Sequence, residues 1–432
     1  MIVDATYLEQ NLPRRYIGNP LLEALPPIAN PDHVVDRLFN LPNIDMDESR
    51  RLPNYIRLHD IDILDQLYLP RQEFIDLEQQ TGLILRNGLL PRNPFDAKTQ
   101  RYLDTIKEQM RKQKAFNNGL PGTILFTGPS GTGKTTGIRN VLSMLPQAIQ
   151  HIHYGEKPFK QRQVVWLSLD APVGGSIKGL LLRLFRSLDE CLGLTGDASY
   201  FSEYQGTRMS IDAQIENFAA AATTYFTGLI HIDDLQRVTD ADEKLRKQIY
   251  NFILQIANVA KIPLILSGTS KSAEIFGKSF EVGRRTTTSL PIILERAPTP
   301  DDDFFSALAR TLFDYQWTPE GLELTPKVQE YLWHLCQGIS SLAITIYKGA
   351  QKYAVANSVR KFKIDHLEYA YKQLRVLHPA IEELRKGGHD AVSKYEDLLP
   401  DKVMVLKALQ QLGEKKKSSD KLNALLKAQA RC

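Results

Sequence analysis

A stretch of glycine, lysine and hydroxyl residues near position 130 has the composition of a phosphate-binding loop. Residues 128–135, GPSGTGKT, fit the pattern G-x-x-x-x-G-K-[ST], follow an apolar strand and open a helix. Glycines let backbone N–H groups turn toward phosphate oxygens, and the positive end of the helix dipole adds to the attraction. Lys134 is expected to bridge the β- and γ-phosphates of ATP, and Thr135 to bind Mg²⁺. The predicted nucleotide-binding residues are Gly128, Pro129, Ser130, Gly131, Thr132, Gly133, Lys134, Thr135 and Thr136.

A second candidate site lies where another apolar segment, LIHIDD at 229–234, ends in two acids. A carboxylate at the end of a buried strand can hold Mg²⁺ directly or through water, and this role is predicted for Asp233. Asp234 stands where a water-activating carboxylate is expected. The alternative is that both acids belong to a surface turn. We interpret His231 as a strand residue packed in the core and not as a ligand.

Five short apolar segments bounded by polar, Gly or Pro residues must position these groups, and fully buried parallel strands have this composition. Helical segments separate them, so the sequence predicts an α/β fold with a doubly wound, five-stranded parallel sheet. The predicted strands are 122–127, 164–170, 228–233, 263–267 and 290–294.

The regions flanking the sheet differ in composition. Seven prolines in the first 55 residues exclude long helices there. Residues 1–95 are predicted to be a docking or wrapping region, or alternatively an extension packed on the core. A helix is predicted from Asp96 to about Lys114. Thr299-Pro300 and Thr325-Pro326 have the composition of helix starts, a capping hydroxyl followed by proline. We therefore divide the chain into a core at 96–297, a helical domain at 298–385 and a tail at 386–432.

Composition limits the classes of protein that are compatible with the sequence. The chain of 432 residues has three cysteines and no CxxC pair, which makes a disulfide framework or zinc site improbable and favours a reducing cytoplasm. It lacks an apolar run of the ~20 residues that span a bilayer. Residues 401–432 hold eight Lys and Arg against three acids, a net charge of +5, so the chain's total of +4 leaves about −1 for all the other residues. Nucleic-acid binding by the rest of the chain would need a local basic groove.

These elements together resemble the AAA+ class of P-loop ATPases. In that class a polar residue at the tip of the fourth strand, termed sensor 1, contacts the γ-phosphate or the lytic water. The resemblance implies this role for Thr269, or secondly for Ser267. An arginine finger that reaches a neighbouring subunit's nucleotide would be Arg284 or Arg285, which could alternatively form a solvated turn or contact phosphate. Asp234 replaces the usual glutamate, so we expect slow hydrolysis.

Three further segments resemble the TnsC/TniB family, the AAA+ ATPase regulators of Tn7-like transposons. They are YIGNPLLEALP at 16–26, QVVWLSLDAP at 163–172 followed by GSIK at 175–178, and GISSL at 338–342 before a long helix of the C-terminal lid. The resemblance covers about residues 16–380, and the segments follow one another in the same order as in the family. Ser341 lies near the position where many AAA+ lids carry a sensor 2 arginine, so no such arginine is assigned.

The resemblance implies an ATP-dependent ring or helical filament of many copies on double-stranded DNA. Such proteins connect a target-selection protein, either sequence-reading or an RNA-guided complex, to transposase subunits, and hydrolysis of ATP with Mg²⁺ helps to disassemble the complex. It implies a bacterial cytoplasmic, nucleoid-associated protein without membrane contact. DNA phosphates would be gripped by Lys178, and by Arg183 if it shares that face; otherwise Lys178 is one more solvated lysine.

Two alternatives stay open. The chain could be another DNA-bound AAA+ ATPase, such as an initiator or helicase loader, or a nucleotide-switched signalling NTPase that binds no DNA. The tail carries Lys415, Lys416 and Lys417 and a short apolar face formed by Leu422, Leu425 and Leu426. It could fold on a partner or remain a disordered basic tail.

Overall fold

Two β-sheets organise the chain in this computed structural model, which describes residues 2–7, 12–112, 122–239, 243–269, 272 and 290–386. The larger sheet has five strands, all parallel, in the order β5-β6-β7-β2-β8, and the smaller has the order β1-β3-β4. The described strands are β1 (Ile2–Asp4), β2 (Thr123–Thr127), β3 (Ala148–Tyr154), β4 (Lys157–Val164), β5 (Trp166–Asp170), β6 (Leu229–Asp233), β7 (Leu264–Gly268) and β8 (Ile292–Ile293).

The five-stranded sheet confirms the predicted fold class. Its three inner strands, β2, β6 and β7, are buried on both faces, since all five residues of each are buried, whereas the edge strands β5 and β8 are only partly buried. In register, Asp170 lies beside Asp233, and Thr127 lies beside Gly268. The carboxyl ends of the strands therefore meet at one edge, which is where α/β sheets bind ligands.

The three-stranded sheet was not predicted from the sequence. Strand β1 pairs in parallel with β3, and β3 pairs antiparallel with β4. All three residues of β1 are exposed and only part of β3 and of β4 is buried, so these strands lack the apolar runs that mark the inner strands of the larger sheet. His151 is enclosed where this sheet meets the N-terminal residues, between Tyr7 and Gln163.

Eighteen α-helices are described, together with short 3₁₀ helices at Arg14–Tyr16, Ile61–Gln66, Leu90–Arg92, Val173–Gly175 and Gly196–Ala198. No helix within the described ranges is long and apolar enough to cross a membrane. The α-helices are α1 (Pro20–Glu23), α2 (Pro31–Leu38), α3 (Met46–Arg51), α4 (Asn54–Asp60), α5 (Gln72–Leu89), α6 (Ala97–Asp104), α7 (Ile106–Arg111), α8 (Lys134–Ser143), α9 (Ile177–Leu192), α10 (Tyr200–Gln205), α11 (Ile211–Thr224), α12 (Gln236–Thr239), α13 (Glu243–Ala260), α14 (Asp303–Asp314), α15 (Pro326–Cys336), α16 (Ser340–Ala356), α17 (Ile364–Gln373) and α18 (His378–Lys386).

The N-terminal region packs against both the sheet and the C-terminal helices. As the prolines predict, its first helices are short, and α2 with eight residues is the longest before residue 55. Helix α5 contributes Phe74, Leu77 and Leu85 to the same apolar cluster as β2 and α8. Ile61 and Leu64 join the cluster of the C-terminal helices instead. The N-terminal region therefore packs on the larger sheet at one end and on the C-terminal helices at the other.

Of the three helices whose boundaries were predicted from the sequence, one agrees with the structure. Thr325 accepts a hydrogen bond from the Val328 amide and caps α15 as expected. The predicted cap at Thr299 is wrong, because α14 starts later and the side chain of Asp302 caps it through the Phe305 amide. The helix predicted from Asp96 is interrupted at Thr105, which divides it into α6 and α7.

Candidate nucleotide site

The phosphate loop connects β2 to α8 at the carboxyl edge of the sheet. Gly131 and Gly133 have φ angles of +79° and +92°, a left-handed conformation that glycine adopts without steric cost. A Cβ atom on Gly128 would lie 2.2 Å from the carbonyl oxygen of Leu294, the residue after β8. These glycines therefore allow the backbone to curl at the start of α8 with its N–H groups available to phosphate.

Side chains of the loop hold its shape from within. The Lys134 ammonium group donates a hydrogen bond to the Pro129 carbonyl oxygen at 2.7 Å, and the Thr132 hydroxyl donates to the same oxygen at 2.8 Å. Lys134 is buried, and so its charge lies over the loop and not in open solvent. A γ-phosphate oxygen can bind there by accepting a hydrogen bond from the ammonium group, which has three N–H donors.

Helix α5 supports the loop from below. A Cβ atom on Gly137 would lie 2.0 Å from the Phe74 ring, so the two helices touch where glycine is required. The Phe74 ring also stacks on Phe126 of β2, with the ring centroids 5.4 Å apart. A residue of the N-terminal region thus fixes the strand and the helix on either side of the phosphate loop.

Asp233 lies at the end of β6 with its carboxylate facing the loop. The Oδ1 atom accepts hydrogen bonds from the Ser267 hydroxyl at 2.5 Å and from the Asp234 amide at 2.8 Å. Burial raises the pKa of Asp233, but His231 and the hydrogen bonds from Ser267, Thr135 and Asp234 outweigh it, so the pKa lies below its usual value. Asp233 is therefore ionised and in contact with Thr135.

This pair fits Mg²⁺ through its chemistry. No group of three or more His, Cys, Asp or Glu side chains that could hold a metal ion occurs in the described part of the chain. Mg²⁺ in nucleotide sites usually takes only one or two protein ligands, and the phosphates and water supply the rest. An ionised carboxylate beside a threonine hydroxyl at the phosphate loop is such a pair.

His231 of β6 lies next to Asp233 in the interior of the sheet. Its Nδ1 atom is 2.9 Å from the Ser168 hydroxyl on β5, and its Nε2 atom is 2.8 Å from the Ser267 hydroxyl on β7. Burial lowers the pKa of His231 to about 4, with Asp233 and Asp170 opposing and Arg139 reinforcing the effect. His231 is a core residue, as interpreted from the sequence, but it is also hydrogen-bonded toward Asp233, which sequence reasoning missed.

Asp234 follows in a left-handed conformation, with φ at +56°. Its Oδ1 atom accepts a hydrogen bond from the side-chain Nε2 of Gln236 at 2.8 Å, and its Oδ2 atom lies 2.5 Å from the Arg237 guanidinium. The other end of that guanidinium lies 3.5 Å from Asp170 of β5. Both carboxylate oxygens of the predicted water-activating residue are thus bound to neighbours on α12.

Thr269 and Ser267, the two candidates for sensor 1, make different contacts with the acids at the end of β6. Ser267 touches Asp233, as described above. The Thr269 amide donates to the Gln236 side chain at 3.2 Å, while its own hydroxyl is buried and receives no hydrogen-bond partner from the described residues. Of the two candidates for sensor 1, Ser267 therefore contacts Asp233 directly, whereas Thr269 is connected to Asp234 only through the Gln236 side chain. Arg284 and Arg285 lie outside the described residues.

Comparison with known proteins identifies the type of domain around this site. Residues 118–276 match the family model described as AAA domain. The chain contains an AAA-type P-loop ATPase domain. A search of curated proteins finds no match.

Among solved structures, the Aeropyrum pernix ORC2 protein in ADPNP-ADP complexes has a TM-score of 0.39 and 13% identity, over 65% of this chain and 68% of that chain. The Walker-type ATPase PABY2304 of Pyrococcus abyssi has a TM-score of 0.37 and 12% identity, over 66% and 75%. The Thermotoga maritima RuvB Holliday junction branch migration motor has a TM-score of 0.32 and 13% identity, over 64% and 68%. Similarities this distant support no inference about what the present ATPase domain acts on.

A cavity of about 300 Å³ opens beside the phosphate loop of the ATPase domain. Three parts of the chain line it: the N-terminal region through Leu67 and Tyr68, the loop through Gly131, and the C-terminal helices through Phe304 and Ile344. The Ser341 amide and the Ser340 hydroxyl also donate to the Gly131 carbonyl oxygen, at 3.2 and 3.3 Å. The first residues of helix α16 therefore contact the phosphate loop. One of them is Ser341, which lies near the position where many AAA+ lids carry the sensor 2 arginine.

A larger cavity of about 740 Å³ lies among the C-terminal helices. Its charged lining residues are the acids Asp301, Asp303, Asp314 and Glu323 and one base, Arg310. This excess of acids disfavours phosphate, and the lining includes no residue of the phosphate loop. The smaller cavity is therefore the candidate for the nucleoside part of a nucleotide.

The predicted DNA-contacting residues lie on α9, beyond the end of β5. Lys178 is exposed in the first turn of the helix, after the 3₁₀ helix Val173–Gly175, in which Val173 is 76% exposed. Arg183 is half-buried and donates to the Asp170 carbonyl oxygen at 3.0 Å. Lys178 and Arg183 are thus in different environments, one facing solvent and the other holding the strand end.

Proposed function

We propose that the chain is an ATP-dependent DNA-binding regulator of transposition, as its resemblance to the TnsC/TniB family implies. It assembles as a ring or filament on target duplex DNA and links a target-selection protein to transposase subunits. ATP with Mg²⁺ holds the assembly together, and slow hydrolysis to ADP and phosphate limits its lifetime. The targeting protein is either sequence-reading or an RNA-guided complex.

One observation supports this proposal most strongly, namely the position of one of the three segments that carry the resemblance. Residues 163–178 contain β5, the 3₁₀ helix Val173–Gly175 and the start of α9. Asp170, at the end of β5, lies 3.5 Å from the guanidinium that also pairs with Asp234. Helix α9, which carries Lys178 in its first turn, is joined to Asp170 by the Arg183 hydrogen bond to the Asp170 carbonyl oxygen, and Asp170 pairs through Arg237 with the acid proposed to activate water. DNA bound by α9 can act on hydrolysis through these contacts.

Lys178 is our candidate for DNA contact because its ammonium group is exposed at the start of α9, on the side of the ATP site. Such a lysine binds phosphate oxygens without reading bases, which suits a regulator that acts at many sequences. Arg183 contributes to this surface less directly, since it is half-buried and one of its donors is bound to Asp170.

The roles proposed for the nucleotide site follow from its contacts. Lys134 and the loop amides bind the phosphates, Thr135 and Asp233 bind Mg²⁺, and Asp234 orients the attacking water. The base and ribose occupy the cavity between the loop and Tyr68. Because that cavity is lined in part by helices α14 and α16, bound nucleotide ties the C-terminal helices to the sheet. Arg284 or Arg285 completes the site of a neighbouring copy, which couples ATP binding to assembly.

Electron microscopy of the full chain with duplex DNA tests the proposal. Rings or filaments are expected on DNA with a slowly hydrolysed ATP analogue, and are expected to be lost with ADP. The Lys134→Ala variant should form none under either condition. If wild-type protein forms no assembly on DNA with any nucleotide, the proposal is wrong, and a nucleotide-switched role without DNA becomes the better account.

A further inference from the structure

Three neighbouring strands of the ATPase sheet each contribute one polar side chain to a connected series, in which His231 and Ser267 are buried and Ser168 is half-buried. Ser168 of β5, His231 of β6 and Ser267 of β7 form an unbroken series of hydrogen bonds, at 2.9 Å and 2.8 Å, that ends on Asp233 at 2.5 Å. His231 and Ser267 are 1% and 0% exposed. Buried polar groups are costly unless they are hydrogen-bonded, so a series of this kind in an otherwise apolar sheet requires an explanation.

The direction of each hydrogen bond follows from counting protons. The Asp233 carboxylate can only accept, so the single hydroxyl proton of Ser267 points to Asp233. The Ser267 oxygen must then accept from His231, which places the ring proton on Nε2. The Nδ1 atom consequently accepts from the Ser168 hydroxyl. All three bonds point toward Asp233, and in a chain of this kind each bond strengthens the next.

We infer that His231 is a positioning residue for the Mg²⁺ site, acting through Ser267 on the Asp233 carboxylate. Ser267 and the Asp234 amide both donate to Oδ1, so this oxygen is held on the side of the sheet. The Thr135 side chain is also hydrogen-bonded to this carboxylate, and these two groups together would hold the cation. Without a donor at Nε2, the Ser267 hydroxyl could turn its proton elsewhere, and the carboxylate would lose its fixed orientation. This inference rests on the proposed binding of ATP and Mg²⁺ at this site.

A second role for His231, filling space in the core, makes a different prediction. An unbranched apolar residue of similar size would fill the same space, and it would also remove the need to bury a ring nitrogen. Partners that only orient a metal ligand typically change metal affinity or activity by about 10- to 100-fold when they are removed. The two roles therefore differ in the metal dependence of the reaction and not in stability alone.

The experiment compares His231→Met, which lacks a donor, with His231→Gln, whose amide can donate from the position of Nε2. For each full-length variant, ATP hydrolysis with duplex DNA is measured as a function of Mg²⁺ concentration. We expect the half-saturating Mg²⁺ concentration of His231→Met to rise by about tenfold or more. In His231→Gln it should stay close to that of wild type. Binding of a fluorescent ATP analogue in EDTA should be the same in all three proteins.

Two further measurements make the outcome decisive. Ser168→Ala removes the outer end of the series, away from the nucleotide, and should raise the half-saturating Mg²⁺ concentration by less than His231→Met does. It also provides a reading if His231→Met does not fold, which its thermal unfolding would reveal. Unchanged Mg²⁺ dependence in His231→Met and Ser168→Ala overturns the inference, as does an equal loss in the Met and Gln variants. Wild-type protein without Mg²⁺-dependent turnover would instead refute the proposed ATPase function, and the inference with it.

Discussion

The ion pair between Arg237 and Asp234 gives the sharpest prediction about the rate of hydrolysis. In the proposed mechanism Asp234 directs one carboxylate oxygen toward water, but the guanidinium lies 2.5 Å from Oδ2 and the Gln236 side chain donates to Oδ1. Replacing Arg237 with methionine keeps an unbranched apolar stem and removes the guanidinium and its charge. We therefore expect Arg237→Met to increase basal kcat.

The magnitude follows from the environment of the pair. The side chains of Arg237 and Asp234 are 36% and 28% exposed, so solvent screens their attraction. Partly exposed pairs contribute up to about 1 kcal/mol. If that free energy must be overcome before Asp234 engages water, its removal lowers the barrier by the same amount, which corresponds to about fivefold in kcat. Stability should fall by no more than about 1 kcal/mol.

Steady-state phosphate release at saturating ATP and Mg²⁺ measures this effect. Arg208→Met, which changes an exposed arginine in the segment between α10 and α11, is the matched control and should leave kcat unchanged. A fall in kcat for Arg237→Met would refute the reasoning. It would mean that the guanidinium holds Asp234 in its working position and does not restrain it.

Three further predictions address the catalytic acid, the DNA surface and the small sheet. Asp234→Asn should leave ATP binding intact and lower kcat; unchanged turnover in phosphate-release assays would exclude Asp234 as the water-orienting residue. Lys178→Glu should weaken DNA binding to all sequences alike and reduce the dependence of log affinity on log salt by about one unit, and fluorescence anisotropy over a salt series with several duplexes would expose a sequence-selective loss if bases are read. Burial lowers the pKa of His151 to about 4, with the Gln163 hydrogen bond opposing. The unfolded chain, with an ordinary histidine pKa, therefore binds the proton first, and stability should fall by about 2 kcal/mol between pH 6.5 and 5. Urea unfolding of wild type and His151→Gln at both values checks this, and equal pH slopes would contradict it.

The inner strands of the larger sheet, β2, β6 and β7, were predictable because all five residues of each are buried and most of them are apolar. The predicted strand at 228–233 differs from β6 by a single residue, and that at 263–267 is displaced by one residue from β7. Strands β3 and β4 escaped prediction because each buries only part of its length, and residues such as Lys160 and Arg162 interrupt the apolar pattern. Pairing between distant segments, such as β1 with β3, leaves no local signal.

The phosphate loop was predictable from eight consecutive residues, since the chemistry and the backbone geometry are encoded together. The contacts of Asp233 and Asp234 were not, because their partners come from other strands or from a helix whose orientation depends on packing. A signal was nevertheless present: Ser168, His231 and Ser267 are polar residues within otherwise apolar strands. Sheet register then brings Ser168 directly beside His231.

The affinity for duplex DNA as a function of nucleotide tests the central proposal most directly. Anisotropy of a labelled duplex should be measured with wild type and Lys134→Ala, each with a slowly hydrolysed ATP analogue, with ADP and without nucleotide. We predict that the analogue tightens binding by wild type by about tenfold or more, within the range of coupling between linked sites. Lys134→Ala should show no such gain. Equal affinity of wild type under all three conditions would contradict the proposal that ATP at the phosphate loop controls assembly on DNA.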